Sequence, residues 1–234
     1  MGLAGKAFLA LWNDVDEAFE SEYQQWHSVE HVPERVSVQG FVGARRYVNR
    51  RRTEHRYFTL YEVRSIQVFD GPEYVDLIEH PTRWSSSMRP HLRNMLRATC
   101  AVLQSAGVGV GGAIACFCVP DATGPAAVNQ AMDAVLGLPQ VNACHVGVAS
   151  DQDRRAAFAS AAVPAATRDF DRIILVEALD HAGAGAALAA LRAQLGMQHL
   201  REDFGNAVYD LAFVFPGCDP AARLAHRRAY WAAS

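Results

Sequence analysis

The sequence lacks the charge excess and the long apolar segment that would point to several large classes of protein. Its 22 basic and 25 acidic residues give a formal net charge of −3, so its charge does not favour nucleic acid or an anionic membrane as a partner. The apolar run at residues 7–12 has the length of a strand and falls short of the ~20 residues that a membrane span needs. We therefore expect neither nucleic acid nor a membrane among the partners of this 234-residue chain.

The five cysteines also lack the pattern of a disulfide framework or a zinc site. Their number is odd, and most of them lie in apolar, strand-like runs. Cys116 and Cys118 alternate onto one face of a predicted strand, but no second pair completes a zinc site. The N-terminal residues also lack the features of a secretory signal. This pattern is typical of reduced, buried thiols, and we expect a cytoplasmic protein.

Strand-like and helical patterns follow one another in the same order twice along the chain. In the first half, the predicted strands cover 6–13, 41–48, 56–63 and 96–103, with helices at 16–32 and 67–79 and a short helical turn after residue 80. In the second half, the predicted strands cover 113–119, 141–149, 171–178 and 208–215, with helices at 126–136 and 184–195. Each half therefore has the strand–helix–strand–strand–helix–strand order of a ferredoxin-like unit.

This repeat predicts the domain organisation. Residues 1–106 form a ferredoxin-like unit with the candidate site, 107–112 a Gly-rich linker, 113–218 a degenerate second unit and 219–234 a C-terminal helical tail. The linker has no helix after it, as a dinucleotide-binding loop would, because another strand follows. A four-stranded sheet with helices on one face needs a partner for its other face. We therefore predict an α+β fold in which two tandem units pack sheet to sheet as a fused, pseudo-dimeric α/β barrel.

One predicted helix carries most of the functional-looking side chains, in the stretch SEYQQWHSVEHVPERV at residues 21–36. On a helix of 3.6 residues per turn, Tyr23, His27 and Glu30 lie along one border of the apolar sector, with His31 slightly further round. Pro33 has no backbone N–H and disfavours helical geometry in the residue before it. The sequence therefore predicts that this helix ends or kinks there and leaves the next residues as a separate turn.

Three interpretations of this helix remain open. His27, Glu30 and His31 match the pattern of inverted zinc peptidases, in which the histidines bind zinc and the glutamate is the base. Alternatively, the same side chains perform acid–base chemistry without a metal, with Glu30 orienting His27 and Tyr23 donating a hydrogen bond to a substrate oxygen. In the third interpretation Glu30 pairs with an arginine while the histidines only pack.

The first half also resembles a known family, through the motifs EYQQWHSVEHVPERVSVQGFVGARRY, YFTLYEV and GPEYVDLIEHPTRWSSSM. Over residues 8–102 the chain resembles a bacterial group in the dimeric α/β-barrel superfamily, near the EthD-like and antibiotic-biosynthesis-monooxygenase-like proteins. The resemblance implies a ferredoxin-like barrel with a pocket between the first helix and its sheet. It implies no single reaction, because the superfamily ranges from cofactor-free oxygenation to lactone isomerisation and haem breakdown. Gln39 departs from the proline expected before Gly40.

The remaining candidates lie on the strands and the loop around that pocket. Alternation along 41–48 places Phe41, Gly43, Arg45 and Tyr47 on one face. Arg45 is therefore predicted to face the pocket, either as an anion-stabilising residue or as a buried partner of Glu30. The predicted substrate-binding residues are Arg45, Tyr57, Tyr61, Trp84 and His31, with Trp84 as a lid. The predicted catalytic residues are His27 as base, Glu30 as its orienting group and Tyr23 as hydrogen-bond donor.

The function predicted from these residues is cofactor-independent proton transfer on an apolar or aromatic, oxygen-bearing small molecule. An isomerase, a dehydratase and a monooxygenase all fit this description, and neither a cofactor nor a metal is expected. A non-catalytic small-molecule-binding or stress-related protein is the alternative, and a structural assembly without ligand is the third reading. A homodimer of the fused chain is the one protein partner considered.

Overall fold

Eight antiparallel strands close into a barrel in the computed structural model, which describes residues 2–119, 123–150, 170–197 and 206–217. The strands are β1 (Ala7–Val15), β2 (Phe41–Val48), β3 (Tyr57–Val63), β4 (Leu92–Gly107), β5 (Ala113–Val119), β6 (Val141–Ala149), β7 (Arg172–Ala178) and β8 (Ala207–Pro216). Their order around the barrel is β1-β3-β2-β8-β5-β7-β6-β4, and β4 pairs with β1 again. The predicted α+β class and the barrel are confirmed.

Two long strands link the first half of the chain to the second. One end of β4 pairs with β1 and the other with β6, while β8 pairs with β5 at one end and with β2 at the other. The strand order is β4-β1-β3-β2 in the first half and β8-β5-β7-β6 in the second. In both halves the fourth strand therefore lies beside the first, and the third and second strands follow. Strand β4 runs to Gly107, beyond the predicted end of this strand. Gly107 has a φ of +91°, and a Cβ there would meet the Asn142 carbonyl oxygen at 2.2 Å, so only glycine fits.

The helices lie outside the barrel. They are α1 (Glu20–Trp26), α2 (Val32–Val36), α3 (Pro72–Glu79), α4 (Arg83–Met88), α5 (Pro125–Leu136) and α6 (His181–Gln194), and a π-helical turn, His27–His31, joins α1 to α2. The predicted tail helix at 219–234 lies outside the described residues. None of the described helices is long and apolar enough to cross a membrane.

The barrel interior is a continuous apolar core to which all eight strands contribute. Trp12 packs against Phe58 with ring centroids 4.9 Å apart, and Phe58 packs against Tyr209 at 5.6 Å. A second apolar layer packs α5 and α6 on the outside of the second half, and a third packs α2 and α3 on the outside of the first. The four described cysteines are buried, as the sequence predicted.

A buried ion cluster ties the two halves together inside the barrel. Arg45 on β2 donates to Glu62 on β3 at 2.9 Å and to Glu177 on β7. The remaining carboxylate oxygens accept backbone N–H groups, from Ala4 at 2.7 Å and from Gly111 at 3.1 Å. Burial raises the pKa of the Glu177 carboxyl, and the Arg45 charge opposes this shift. One guanidinium therefore compensates two carboxylates that come from opposite halves.

Among the described residues, Arg45 carries the only guanidinium that hydrogen-bonds to both buried carboxylates, and replacing Arg45 by methionine removes it. Removal of one partner of a buried ion pair costs about 3–5 kcal/mol, and we expect Arg45→Met to lower the free energy of unfolding by that amount. Urea unfolding at pH 7 measures it. Arg64→Met, at an exposed position just after β3, is the control and should change stability by less than about 0.5 kcal/mol. Equal stability of the two variants would contradict the assignment.

Candidate functional site

A π-helical turn at His27–His31 is the local feature that shapes the candidate site. The Val32 N–H donates to the His27 carbonyl oxygen, five residues back. Pro33, at the start of α2, has no backbone N–H and cannot donate a helical hydrogen bond. The wider π-helical turn accommodates this proline without ending the helix. The chain passes directly from the π-helical turn into the short helix α2, so the helix does not end at Val32, and the alternative of a kink there stays a prediction. Such single turns are frequently found at functional sites.

The wider turn also changes which side chains face the sheet. Val29, placed by regular helical spacing in the apolar sector, is 36 % exposed. His27 is 2 % exposed and packs in an aromatic group, with its ring centroid 5.2 Å from Tyr23, 5.6 Å from Trp26 and 5.1 Å from His31. The structure therefore brings Tyr23, His27 and His31 together, although through packing of rings rather than through hydrogen bonds.

A cleft lies between this turn, α2, α3 and the outer face of the first-half sheet. It has room for only about 20 Å³ of water-sized molecules, within about 300 Å³ of unfilled space that includes open solvent. Its apolar lining comes from the strands, and its polar lining from both strands and helices: Leu9, Leu11, Phe41, His31, Arg35, Tyr61, Tyr74 and Arg97. Among the predicted site residues, His31 and Tyr61 are therefore the two that line this cleft.

Several buried polar atoms in and beside the cleft have no hydrogen-bond partner in the described part of the chain. The Tyr61 hydroxyl and the His31 Nδ1 line the cleft, and the His27 Nδ1 and the Thr59 hydroxyl belong to neighbouring positions on the same turn and strand. Tyr61 is 1 % exposed. Buried polar groups in proteins are nearly always hydrogen-bonded, to protein or to ordered water, so these atoms are candidates for hydrogen bonds to water or to a bound molecule.

The protonation states of these groups suit hydrogen bonding and proton transfer. Burial raises the pKa of the Tyr61 hydroxyl, which therefore stays protonated and can donate. Burial lowers the pKa of His31 well below its ordinary value, and the neighbouring Arg35 charge lowers the pKa further. Burial and the Arg46 charge do the same for His27. Both imidazoles are therefore neutral at pH 7 and can accept a proton.

Two of the predicted tyrosines have hydroxyls engaged elsewhere. Tyr23 donates to the Asn13 side-chain oxygen at 3.1 Å. Tyr57 donates to Glu20 at 2.6 Å and accepts from Gln24 at 3.0 Å. Tyr57, Thr59 and Tyr61 do share the outer face of β3, because their neighbours Phe58 and Leu60 lie in the barrel core. Of the three tyrosines, Tyr61 alone faces the cleft with an uncommitted hydroxyl.

Glu30 and Trp84 connect the first helix to α4. Glu30 accepts hydrogen bonds from Thr82 at 2.6 Å and from Ser85 at 3.3 Å. Trp84 is half-buried and donates to Glu22 at 2.9 Å. The expected contact in which Glu30 orients His27 is replaced by these bonds, as is its pairing with an arginine. Among the described residues, no three histidine, cysteine or carboxylate side chains are arranged to hold a metal ion.

The prediction that Arg45 faces the same pocket as His27 is wrong, because a β-bulge changes the alternation of β2. The register shifts between Phe41 and Gly43, so Phe41 packs in the outer layer while Arg45 and Tyr47 face the barrel interior. Arg46 takes the outer face instead. It donates to Ser28 at 2.7 Å, and its guanidinium lies 5.3 Å from the centre of the Tyr23 ring.

Sequence reasoning missed three polar residues of the cleft. Arg35 follows the π-helical turn in α2, Tyr74 lies on α3, and Arg97 lies on the outer face of β4. An available signal for Arg97 was its position between the apolar residues Leu96 and Ala98 in a strand, since a charged residue at that position needs an outward-facing partner or a ligand.

The fold, but not the sequence, matches solved structures. No protein-family model and no curated protein sequence matches the chain. An anthrone oxidase-like protein is 11 % identical with a TM-score of 0.55, and the alignment covers 94 % of this chain and 97 % of the other. A candidate monooxygenase from Fusobacterium nucleatum is 12 % identical with a TM-score of 0.54, covering 93 % and 98 %.

A chlorite dismutase variant from Candidatus Nitrospira defluvii is 13 % identical with a TM-score of 0.54, covering 90 % of this chain and 92 % of the other. The structural neighbours thus include an anthrone oxidase-like protein, a candidate monooxygenase and a chlorite dismutase. At these identities the likeness shows the fold alone.

The buried histidines predict how stability depends on pH. His27, His31 and His55 have pKa values lowered by burial, and burial lowers the pKa of His145 to about 3. The unfolded chain binds protons near pH 6.5 that the folded chain does not. The contribution of the neutral histidines to the free energy of unfolding is therefore fully present above pH 6.5. It is lost as the pH decreases, by up to about 1.4 kcal/mol per pH unit for each histidine.

Urea unfolding between pH 5 and 7.5 measures this slope. His31→Gln removes one of the contributing imidazoles and should make the slope shallower. A slope in His31→Gln equal to that of the wild type would contradict a neutral, buried His31.

Proposed function

We propose that the cleft binds a small aromatic or apolar, oxygen-bearing molecule and catalyses cofactor-independent proton transfer on it. An isomerase, a dehydratase or a monooxygenase would each use this chemistry. The observation that carries the proposal is that a hydrogen-bond donor, the Tyr61 hydroxyl, and a neutral base, the His31 imidazole, line one cleft without partners. In an apolar enclosure, such groups act most strongly on charge that develops during the reaction.

The proposed reaction begins with transfer of a proton from the substrate to a ring nitrogen of His31. The negative charge left on the substrate moves to its oxygen, where the Tyr61 hydroxyl donates a hydrogen bond. Return of the proton at another atom gives isomerisation, and departure of a hydroxide as water gives dehydration. For oxygenation, dioxygen would be the co-substrate. His27, behind His31, is proposed to hold that imidazole in place rather than to meet the substrate.

We also propose the finer architecture on which this site rests. The repeated strand order supports two tandem ferredoxin-like units, residues 1–106 and 113–218, joined by the Gly-rich linker. The helix of the second unit, α5, carries no counterpart of Tyr23, His27 or Glu30, so one site per chain is proposed. An EthD-like affiliation, a cytoplasmic location and a homodimer of the fused chain belong to the same proposal.

Non-catalytic binding of the same type of molecule is the second candidate. It is favoured by the position of Glu30, whose carboxylate binds Thr82 and Ser85. The histidines therefore lack the carboxylate that commonly orients a catalytic imidazole. Binding without turnover would support this candidate over the first.

A thermal-shift screen with aromatic acids, lactones and quinones tests the proposed site, and incubation of each hit with the protein tests turnover. We expect at least one compound to raise the melting temperature in a concentration-dependent way. The effect should disappear in His31→Gln and remain in His80→Gln. A screen without any hit that depends on His31 would contradict the proposed function.

Tyr61→Phe separates binding from stability. The hydroxyl has no internal partner, so its removal should leave the free energy of unfolding unchanged or raise it by up to about 1 kcal/mol, because a buried unpartnered polar group is costly. The same change should weaken every ligand that depends on the hydroxyl by about tenfold. Urea unfolding and ligand titration measure the two effects. A large loss of stability would show that the hydroxyl has a structural partner.

A further inference from the structure

We propose that the cleft holds one fixed water molecule between the Tyr61 hydroxyl and the His31 Nδ1, and that His31 exchanges protons with a bound molecule through this water. The water site follows from the size and the polar atoms of the cleft. The relay role rests on the proposed function, because it needs a substrate on which His31 acts.

The size of the cleft matches a single water molecule. The unfilled space has room for about 20 Å³ of water-sized molecules. Roughly 10–15 Å³ of such space is enough for one water, whereas an aromatic ring needs a cavity several times larger. The cleft is partly open to solvent, so a ring-sized molecule would lie at its open side and not against the buried polar atoms.

Two atoms of the cleft wall can bind this water. The Tyr61 hydroxyl and the His31 Nδ1 are buried and have no hydrogen-bond partner in the described part of the chain. Burial raises the pKa of Tyr61, while burial and the Arg35 charge lower the pKa of His31. The hydroxyl is therefore protonated and donates to the water oxygen, and the neutral imidazole accepts an O–H of the water at Nδ1.

The rest of the lining leaves these two atoms dependent on water. Leu9, Leu11 and Phe41 present apolar side chains to the cleft, and the Tyr74 hydroxyl accepts a hydrogen bond from Arg97 at 3.4 Å. A buried donor or acceptor without any partner is costly, and the immobilisation of one water costs less. Dioxygen has a similar size but would satisfy neither atom, so water is the ligand that the cleft favours.

A water in this position can relay a proton. Its bonds to Tyr61 and His31 use one lone pair and one O–H group, which leaves one of each for a bound molecule. The free lone pair accepts a proton from the substrate while the O–H proton directed at His31 moves to Nδ1. The water is regenerated, and the net change is the transfer of one proton from substrate to imidazole. Tyr61 then acts on the substrate through the water rather than by direct contact.

The number of long-lived internal waters tests the site. Magnetic relaxation dispersion of the water ²H and ¹⁷O nuclei counts them in the full chain at pH 7.5 without any ligand. We expect Tyr61→Phe and His31→Leu each to lose one water relative to the wild type, because each removes one of the two partners. The double variant should also lose one and not two, because both atoms bind the same molecule.

Tyr57→Phe is the matched control. It removes a hydroxyl from the same strand, but that hydroxyl donates to Glu20 at 2.6 Å and lies outside the cleft lining, so the count should equal that of the wild type. The melting temperature of each variant reports whether it folds. If His31→Leu does not fold, Tyr61→Phe still decides, since it removes one oxygen atom and no carbon. A crystal structure of the wild type should show one water within about 3 Å of both atoms.

An unchanged count in Tyr61→Phe, the loss of two waters in the double variant, or a crystal structure with a dry cleft would overturn the inference. Compounds that bind through His31 while Tyr61→Phe keeps the wild-type count would leave the proposed function standing without the relay. A compound that binds and releases the water would overturn the relay, and one that binds with the count unchanged would support it. Loss of the water as predicted, with no compound that binds through His31, would support the water site and overturn the proposed function together with the relay.

Discussion

Closure of the barrel is the constraint on which the rest of the structure depends. Strands β4 and β8 each pair with one half of the chain at one end and with the other half at the opposite end. The inward-facing side chains therefore come from both halves and form one core. The helices have only the outer surface of the sheet to pack against, and any open cleft lies between a helix and that surface. The candidate cleft accordingly lies on the outer surface of the barrel.

The first and second halves use that outer surface differently. In the second half, α5 and α6 pack on the sheet through small residues such as Ala131, Ala184 and Ala187, which are fully buried. Close approach of helix and sheet leaves little space there for a ligand among the described residues. In the first half, the π-helical turn and α2 face a sheet surface that carries Thr59, Tyr61 and Arg97. A helix packed closely on this surface would have to desolvate these polar side chains. In the first half they lie instead beside a cleft.

How far the sequence predicts this molecule depends on which interactions are local. The bounds of β2, β5 and β6 follow from runs of apolar and branched residues, and the structure reproduces them. The direction of Arg45 does not follow from such a run, because one bulged residue reverses the alternation after it. The π-helical turn has the same effect on the helix, where one extra residue exposes Val29. The partners of Glu30 lie more than fifty residues away, and no local pattern of residues 21–36 predicts contacts at that distance.

The basicity of His31 is set by its surroundings in the cleft. Burial lowers the pKa of this imidazole most, and the neighbouring Arg35 charge lowers the pKa further. Under the proposed function, negative charge that develops on a substrate beside Arg35 would offset part of the second effect. The proposed base would then be stronger in the occupied cleft than in the empty one.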